Sequence, residues 1–304
     1  MAQKWFLALF LLMILWAAVH PISKVLSISI PPVSLAFYRV LFSLFFFIPF
    51  FSLVERFQHQ KTFGENRKWL LSSKHWKTLV ATSILGIVFP LLFFSWGLRF
   101  STASAASVLV NTTPLFIIAI TALFMGKTHS LKKLAGALVG FAGVVLVSSN
   151  GSLAFLSSGY FTGNILFLGE ALFVAIATIL AESLSRNLGG FKTQYYTGII
   201  ALPLLFAILA ATGEANSFAS LGFTEWIGLL FVGIVFSGFC LGFYTTSIPK
   251  VGAENSALMK LLIPVFAIAY SAVFLGEQIT GPFITGTGLV LAGLFLALKD
   301  HGKQ

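Results

Sequence analysis

Long apolar runs separated by short polar joints make up most of this chain. A helix needs roughly 20 apolar residues to cross the hydrocarbon core of a bilayer. Runs of about that length recur at Trp5–Ser23, Val33–Val54, Leu79–Trp96, Ser104–Met125, Leu131–Ser148, Gly163–Leu184, Gln194–Thr212, Glu225–Tyr244, Ser256–Leu275 and Phe283–Leu298. They do not alternate apolar and polar residues in segments of about ten, as a transmembrane β-barrel would. The pattern predicts an all-α integral membrane protein with ten transmembrane helices. Lys4 precedes the first run as it would in a secretion signal, but His20 and Pro21 follow and no small-residue cleavage site appears, so the run reads as a retained helix.

Composition agrees with the pattern. With 58% apolar and 9% charged residues, the chain lacks the polar surface to cover itself in water, and its partner is the lipid bilayer. The net charge of +10 sits in short clusters between apolar runs. That arrangement fits anionic headgroups and topology signals and argues against nucleic acid. With the N-terminus inside, 15 of the 19 Lys and Arg residues fall on the cytoplasmic side, Lys24 and Arg99 fall outside, and Arg39 and Lys260 lie within spans. This bias predicts a multi-pass protein of the cell inner (cytoplasmic) membrane with both termini cytoplasmic. The basic loop Glu55–Lys77 reads as a solvated cytoplasmic connector. Cys240 is the single cysteine, so no disulfide or cysteine zinc site forms within one chain, and no cofactor or metal is expected.

A shift of 150 residues aligns Pro114-Leu-Phe-Ile-Ile-Ala-Ile-Thr-Ala-Leu-Phe-Met-Gly126 with Pro264-Val-Phe-Ala-Ile-Ala-Tyr-Ser-Ala-Val-Phe-Leu-Gly276, identical at seven of thirteen positions. The register continues through Gly136 with Gly286 and Gly143 with Gly293. The chain thus divides into repeats over residues 1–150 and 151–304. Five spans per repeat is an odd number, so the second copy enters the membrane from the opposite face. Gly126 is expected inside and Gly276 outside, an inverted-topology repeat. Two such halves can exchange conformations around one midplane site, which makes alternating access the leading reading.

Trp16 and Lys24 around the first helix, Arg39 in the second, the Pro114–Gly126 segment, and Pro264–Gly276 followed by Glu277 resemble the drug/metabolite transporter superfamily, in particular proteins with two EamA-type repeats. The resemblance covers nearly the whole chain. It implies ten helices around a central cavity lined mainly by helices 1, 3, 4, 6, 8 and 9, with helices 5 and 10 in a supporting contact away from it. Lys127 stands where that family usually has an acidic residue, a change within a loop. His20-Pro21 replaces small or apolar residues and bears on the outer end of the cavity.

Ionisable groups at membrane depth require a partner or a watery cavity. His20, Arg39 and Glu170 fall in the outer half of their spans, Lys260 and Glu182 towards the inner half. Glu170 with Arg39 or His20 would form an outer gate or a protonation site, because burial and a nearby cation act oppositely on a carboxylate's charge; structural pairing is the alternative. Lys260 occupies the position of Val110 in the first repeat. It suits a carboxylate-bearing substrate, a counterion role towards Glu182, or snorkelling to the interface. Asn111, beside Thr112 and Thr113, offers polar groups at midplane to a solute or a neighbouring helix. Trp16, Trp96 and Tyr244 are aromatic candidates for the pathway. Pro90, Pro114, Pro203 and Pro264 mark expected kinks, with Pro114 and Pro264 the symmetric gating pair. Gly136, Gly140, Gly143, Gly286 and Gly293 read as close-packing scaffold.

These features favour a secondary transporter of a small polar or amphipathic metabolite, with export of an amino acid or related compound the first choice from the resemblance. Proton coupling would run through Glu170 and His20. An uptake carrier for a small cation such as choline and a lipid-carrier flippase are the alternatives. A membrane-embedded enzyme is disfavoured, since no His-Glu-x-x-His, Gly-x-Ser-x-Gly or Walker-type run occurs. A homodimer is one arrangement open to such a chain.

Overall fold

In a computed structural model, residues 2–58, 73–126, 128–151, 159–214, 221–251 and 253–299 are described. Residues 59–72 of the basic loop, Lys127 and the last five residues lie outside that set. The described residues form helices and no strand, and ten helices are long and apolar enough to span a bilayer. They are α1 (Lys4–Ser29), α2 (Pro32–Phe51), α3 (His75–Phe100), α4 (Ala103–Phe124), α5 (Leu131–Ser149), α6 (Gly159–Glu182), α7 (Gly190–Thr212), α8 (Phe223–Tyr244), α9 (Ser256–Leu275) and α10 (Gly281–Leu298). Each expected run lies largely within one of these helices; most ends differ by about a turn or less, and the first helix runs six residues past the expected Ser23 to Ser29.

Buried residues cluster in separate packing units. Leu9, Met13 and Trp16 of α1 pack with Tyr38 and Phe42 of α2, Phe236 of α8 and Ile263 of α9. A second unit joins Leu98 of α3, Leu109 and Leu115 of α4, Val144 of α5, Phe167 of α6 and Val290 of α10. Leu123, Phe124, Val273 and Phe274 point outward, as lipid-facing side chains do. Lipid is as apolar as these side chains, so close packing and hydrogen bonds hold the helices together.

The tightest pair is α5 with α10. A Cβ on Gly136 would stand 2.7 Å from the Gly293 carbonyl oxygen, and one on Gly286 would stand 2.8 Å from the Val147 nitrogen. Only glycine lets the two backbones approach this closely.

Three spans break shortly before a proline. α1 turns at Ala18 before Pro21, α4 at Asn111–Thr112 before Pro114, and α9 at Lys260–Leu261 before Pro264. Proline has no N–H for the carbonyl four residues earlier and its ring crowds that carbonyl, so the preceding turn opens. By contrast, α7 continues through Pro203 and α2 through Pro49. Pro90 follows a π-helical turn at Ile84–Val88 in α3, and α8 carries a longer π-helical stretch at Phe231–Cys240. Both stretches contain the same start of a tetrapeptide, Gly86-Ile-Val-Phe89 and Gly233-Ile-Val-Phe236, so the repeat extends to α3 and α8 at a shift of 147.

Polar clamps close one end of the bundle. Glu277, after α9, accepts hydrogen bonds from Ala103 N (2.7 Å), Ser104 N (3.0 Å) and Ser104 Oγ (2.5 Å) at the start of α4. Glu214, after α7, accepts from Val33 N (2.9 Å) and Ser34 N (3.2 Å) at the start of α2. Lys24 donates to the Leu98 and Ser101 carbonyls at 2.5 and 2.8 Å, at the end of α3. Carboxylates at helix starts and an ammonium at a helix end satisfy unpaired backbone groups and complement the helix dipoles. Glu277 therefore sits at the Ala103 end of α4, whereas Gly126 follows the other end. Gly126 and Gly276 stand at opposite ends of the bundle.

Candidate functional site

A cavity of about 850 Å³ enters the bundle between the two halves of the chain. Its mouth is at the end opposite the Glu277 clamp, bordered by His129, Lys133, Ser185 and Gln194. Its lining continues to His20, Arg39, Pro90, Phe94 and Glu170 midway through the bundle. Helices 1, 3, 4, 6, 8 and 9 all line it, as the resemblance implied. Arg39 and Ser43 of α2 and Thr193 and Thr197 of α7 line it too, and Lys133 of α5 and Leu294 and Ala297 of α10 border it. The α5–α10 pair is thus in contact with the cavity, because one end of that pair lies beside its mouth.

The deep end holds three ionisable groups. Arg39 donates from Nε to Ser237 Oγ at 3.1 Å, and its guanidinium lies 4.8 Å from the Phe236 ring centroid and 5.4 Å from that of Phe94. Ser237 is placed by the π-helical turn, its hydroxyl also donating to the Val232 carbonyl five residues back at 3.0 Å. Glu170 and His20 line the same part of the cavity as Arg39. Arg39 makes no ion-pair contact with Glu170; among the described residues that kind of contact joins Arg186 to Glu182 at 2.7 Å. Glu170 is 9% exposed, and its Oε2 and the Nδ1 of His20 are buried with no hydrogen-bond partner among the described residues. The His20 ring packs edge-on against Phe94 at 5.9 Å.

Nearer the mouth, the Lys260 ammonium lies 4.4 Å from the Tyr244 ring centroid and 4.9 Å from that of Trp16. These rings meet edge-on at 5.7 Å, and Trp16 also meets Phe236 at 5.1 Å. The Phe236–Trp16 pair therefore carries Arg39 on one ring and Lys260 on the other. Lys260 sits at the helix break, where Ile263 N donates to its carbonyl at 3.0 Å. Asn111, at the corresponding break in α4, lines the cavity while its Nδ2 donates to the Ser107 carbonyl at 2.7 Å.

Of the residues singled out from sequence, Trp16, His20, Asn111, Pro114, Glu170, Tyr244 and Lys260 border this one cavity. Pro264 stays out of the lining, buried beside Ile263. Trp96 is a correction. It is 38% exposed and absent from the cavity wall, because it follows the cavity-facing Phe94 by two residues, about 200° around the helix. A second correction concerns Glu182, which is exposed and pairs with Arg186, so it is not the counterion of Lys260. Sequence reasoning missed Ser237, Phe94 and Phe236 as companions of Arg39. The repeated Gly-Ile-Val-Phe quartet containing Phe236 was the available signal.

The sequence pattern of the EamA-like transporter family matches residues 3–149 and again residues 161–299. An uncharacterized transporter of Archaeoglobus fulgidus is 26% identical over 304 residues, spanning 99% of this chain and 100% of its own. The uncharacterized transporter YoaV of Bacillus subtilis is 23% identical over 77% of this chain and 80% of its own. A WAT1-related chloroplastic protein of Arabidopsis thaliana is 25% identical over 70% of this chain and 52% of its own. A protein crystal structure superposes with a TM-score of 0.59 at 19% identity, covering 97% of this chain and 96% of that one; that likeness concerns the fold.

Proposed function

Because this chain belongs to the EamA-like transporter family, we propose that it is a secondary carrier working by alternating access. Its cargo is a small polar or amphipathic metabolite, an amino acid or related compound in first place, exported across the cell inner membrane. The observation that carries this reading is a cavity built by both halves, entered from one end and ending at Arg39 and Glu170 midway. Beyond that point the Glu277, Glu214 and Lys24 clamps hold the other end closed.

Such a one-sided cavity corresponds to one end state of an alternating-access cycle. The positive-inside count assigns the mouth to the cytoplasm, which makes this the inward-open state. Opposite placement of Gly126 and Gly276 supports inverted halves, whose exchanged conformations supply the outward-open state. Glu170 and His20 are the proton-coupling candidates, since both hold an unpartnered buried polar atom beside Arg39.

The reading is tested in proteoliposomes with radiolabelled amino acids and choline. A carrier shows counterflow, in which unlabelled cargo inside accelerates entry of label; a linear, non-saturating flux without counterflow refutes alternating access. Glu170→Gln is expected to abolish dependence on a pH gradient while leaving counterflow. Full gradient-driven uptake by that variant removes Glu170 from coupling.

A further inference from the structure

One cation on the cavity wall, Lys260, has no acidic partner among the described residues. Arg39 has a hydrogen-bond partner in Ser237 and the acidic Glu170 in the same part of the cavity. Lys260 has no such counterpart: no charged group among the described residues acts on it, and Glu182 is taken by Arg186. A cation within a membrane span that has no acidic partner is served by water or by an anion in the cavity. The two rings cover part of the ammonium, and an ammonium carries three donors. Lys260 makes no hydrogen bond from Nζ to the described residues, so those donors remain available towards the cavity it lines. The first repeat has Val110 at this position, so the helix break itself does not require a cation.

We infer that Lys260, seated on Trp16 and Tyr244, is the binding point for a single carboxylate on the transported molecule, which makes the cargo class amphipathic monocarboxylates. One ammonium matches one negative charge. The rings of Trp16, Tyr244 and Phe236 provide apolar surface for the body of such a molecule. The unpartnered Oε2 of Glu170 and Nδ1 of His20 deeper in the cavity provide an independent sign that a ligand with a polar group belongs here. A phosphate monoester carries about a second charge at neutral pH, for which this position has no second cation.

This inference rests on the carrier reading, and its test separates the two. Purified full-length protein is melted against matched pairs of carboxylic acids and their primary amides, covering aliphatic, aromatic and α-amino acids, with phosphate monoesters as a third arm. Ligands of the folded state raise the melting temperature. The expected result is that bound acids exceed their amides in affinity by about tenfold or more, as charge-assisted hydrogen bonds do. Lys260→Arg retains that preference and Lys260→Met loses it. Without ligand, Lys260→Met melts at or above the wild-type temperature, since it removes an uncompensated charge.

Four results overturn the inference: no acid binding, equal binding of acids and amides, tighter binding of phosphate monoesters, or a lower ligand-free melting temperature for Lys260→Met. In any of these cases the carrier reading still stands if counterflow of another solute is measured. It fails separately if no solute shows counterflow.

Discussion

Gly143 meets Gly286 across the α5–α10 contact so closely that a Cβ on Gly143 would lie 2.6 Å from the Gly286 carbonyl oxygen and 2.6 Å from the Val290 nitrogen. Backbone atoms cannot rotate aside, so even one methyl group must push the helices apart. Gly143→Ala is expected to destabilise the protein by about 1–3 kcal/mol, the usual cost of overpacking. Gly288, on α10 with nothing within 4 Å of its would-be Cβ, is the control. Gly288→Ala should leave stability unchanged or raise it by up to about 1 kcal/mol through helix propensity. Thermal melts of the two variants in one detergent measure the difference; equal effects would mean that the glycine contact does not hold the pair.

The Glu277 carboxylate ties the segment after α9 to the first turn of α4 through two backbone N–H groups and the Ser104 hydroxyl. Helix caps are worth about 0.5–2 kcal/mol, so Glu277→Ala should melt a few degrees lower. Glu277→Gln should fall between, because its amide oxygen still accepts. The clamp also closes the end opposite the cavity mouth. In a Cys240→Ala background, a cysteine at buried Ser107 should therefore react faster with an impermeant maleimide once Glu277 is alanine. An unchanged labelling rate would make the contact a cap without a gating role.

The spans and the symmetric breaks before Pro114 and Pro264 were legible in the sequence because apolar run length and proline chemistry act locally. The glycine scaffold was legible from its repeat register. The π-helical turns were not, since most positions around Ile84–Val88 and Phe231–Cys240 are apolar or glycine. The one polar side chain the wider turn redirects in the second stretch, Ser237, has its partner Arg39 198 residues away. The direction of Trp96 was hidden because large apolar side chains lie on every side of that part of α3 and mark no preferred face. The Glu277 and Glu214 clamps bridge 173 to 181 residues and depend on tertiary placement. The lone status of Lys260 required locating Glu182, whose depth in sequence suggested a partner that its pairing with Arg186 excludes.

Orientation has a direct test at two exposed positions. Met125, beside Gly126, and Gln278, beside Glu277, both face solvent or headgroups. With single cysteines placed there, an impermeant maleimide added to intact cells is expected to label the Gln278 site and to reach the Met125 site only after permeabilisation. Reversed labelling would invert the topology and turn the cavity mouth outward. Labelling of both from one side would contradict the inverted halves on which alternating access rests.

Trp16 and Trp96 should respond differently to the same substitution. Trp16 is buried, touches Phe236 and Tyr244, and supports the Lys260 ammonium; Trp96 lies on the outer surface of α3. Loss of a cation–π contact costs about 0.5–2 kcal/mol, equivalent to roughly 2-fold to 30-fold in affinity. Trp16→Leu is therefore expected to weaken cargo binding within that range, with a further loss of stability from its packing. Trp96→Leu exchanges one lipid-facing apolar side chain for another and should keep binding within about twofold. Measuring affinity and melting temperature on both variants separates the effects. If Trp96→Leu lost affinity while Trp16→Leu kept it, the cavity would not be the binding site, and the assignment of Lys260 to the cargo would fail with it.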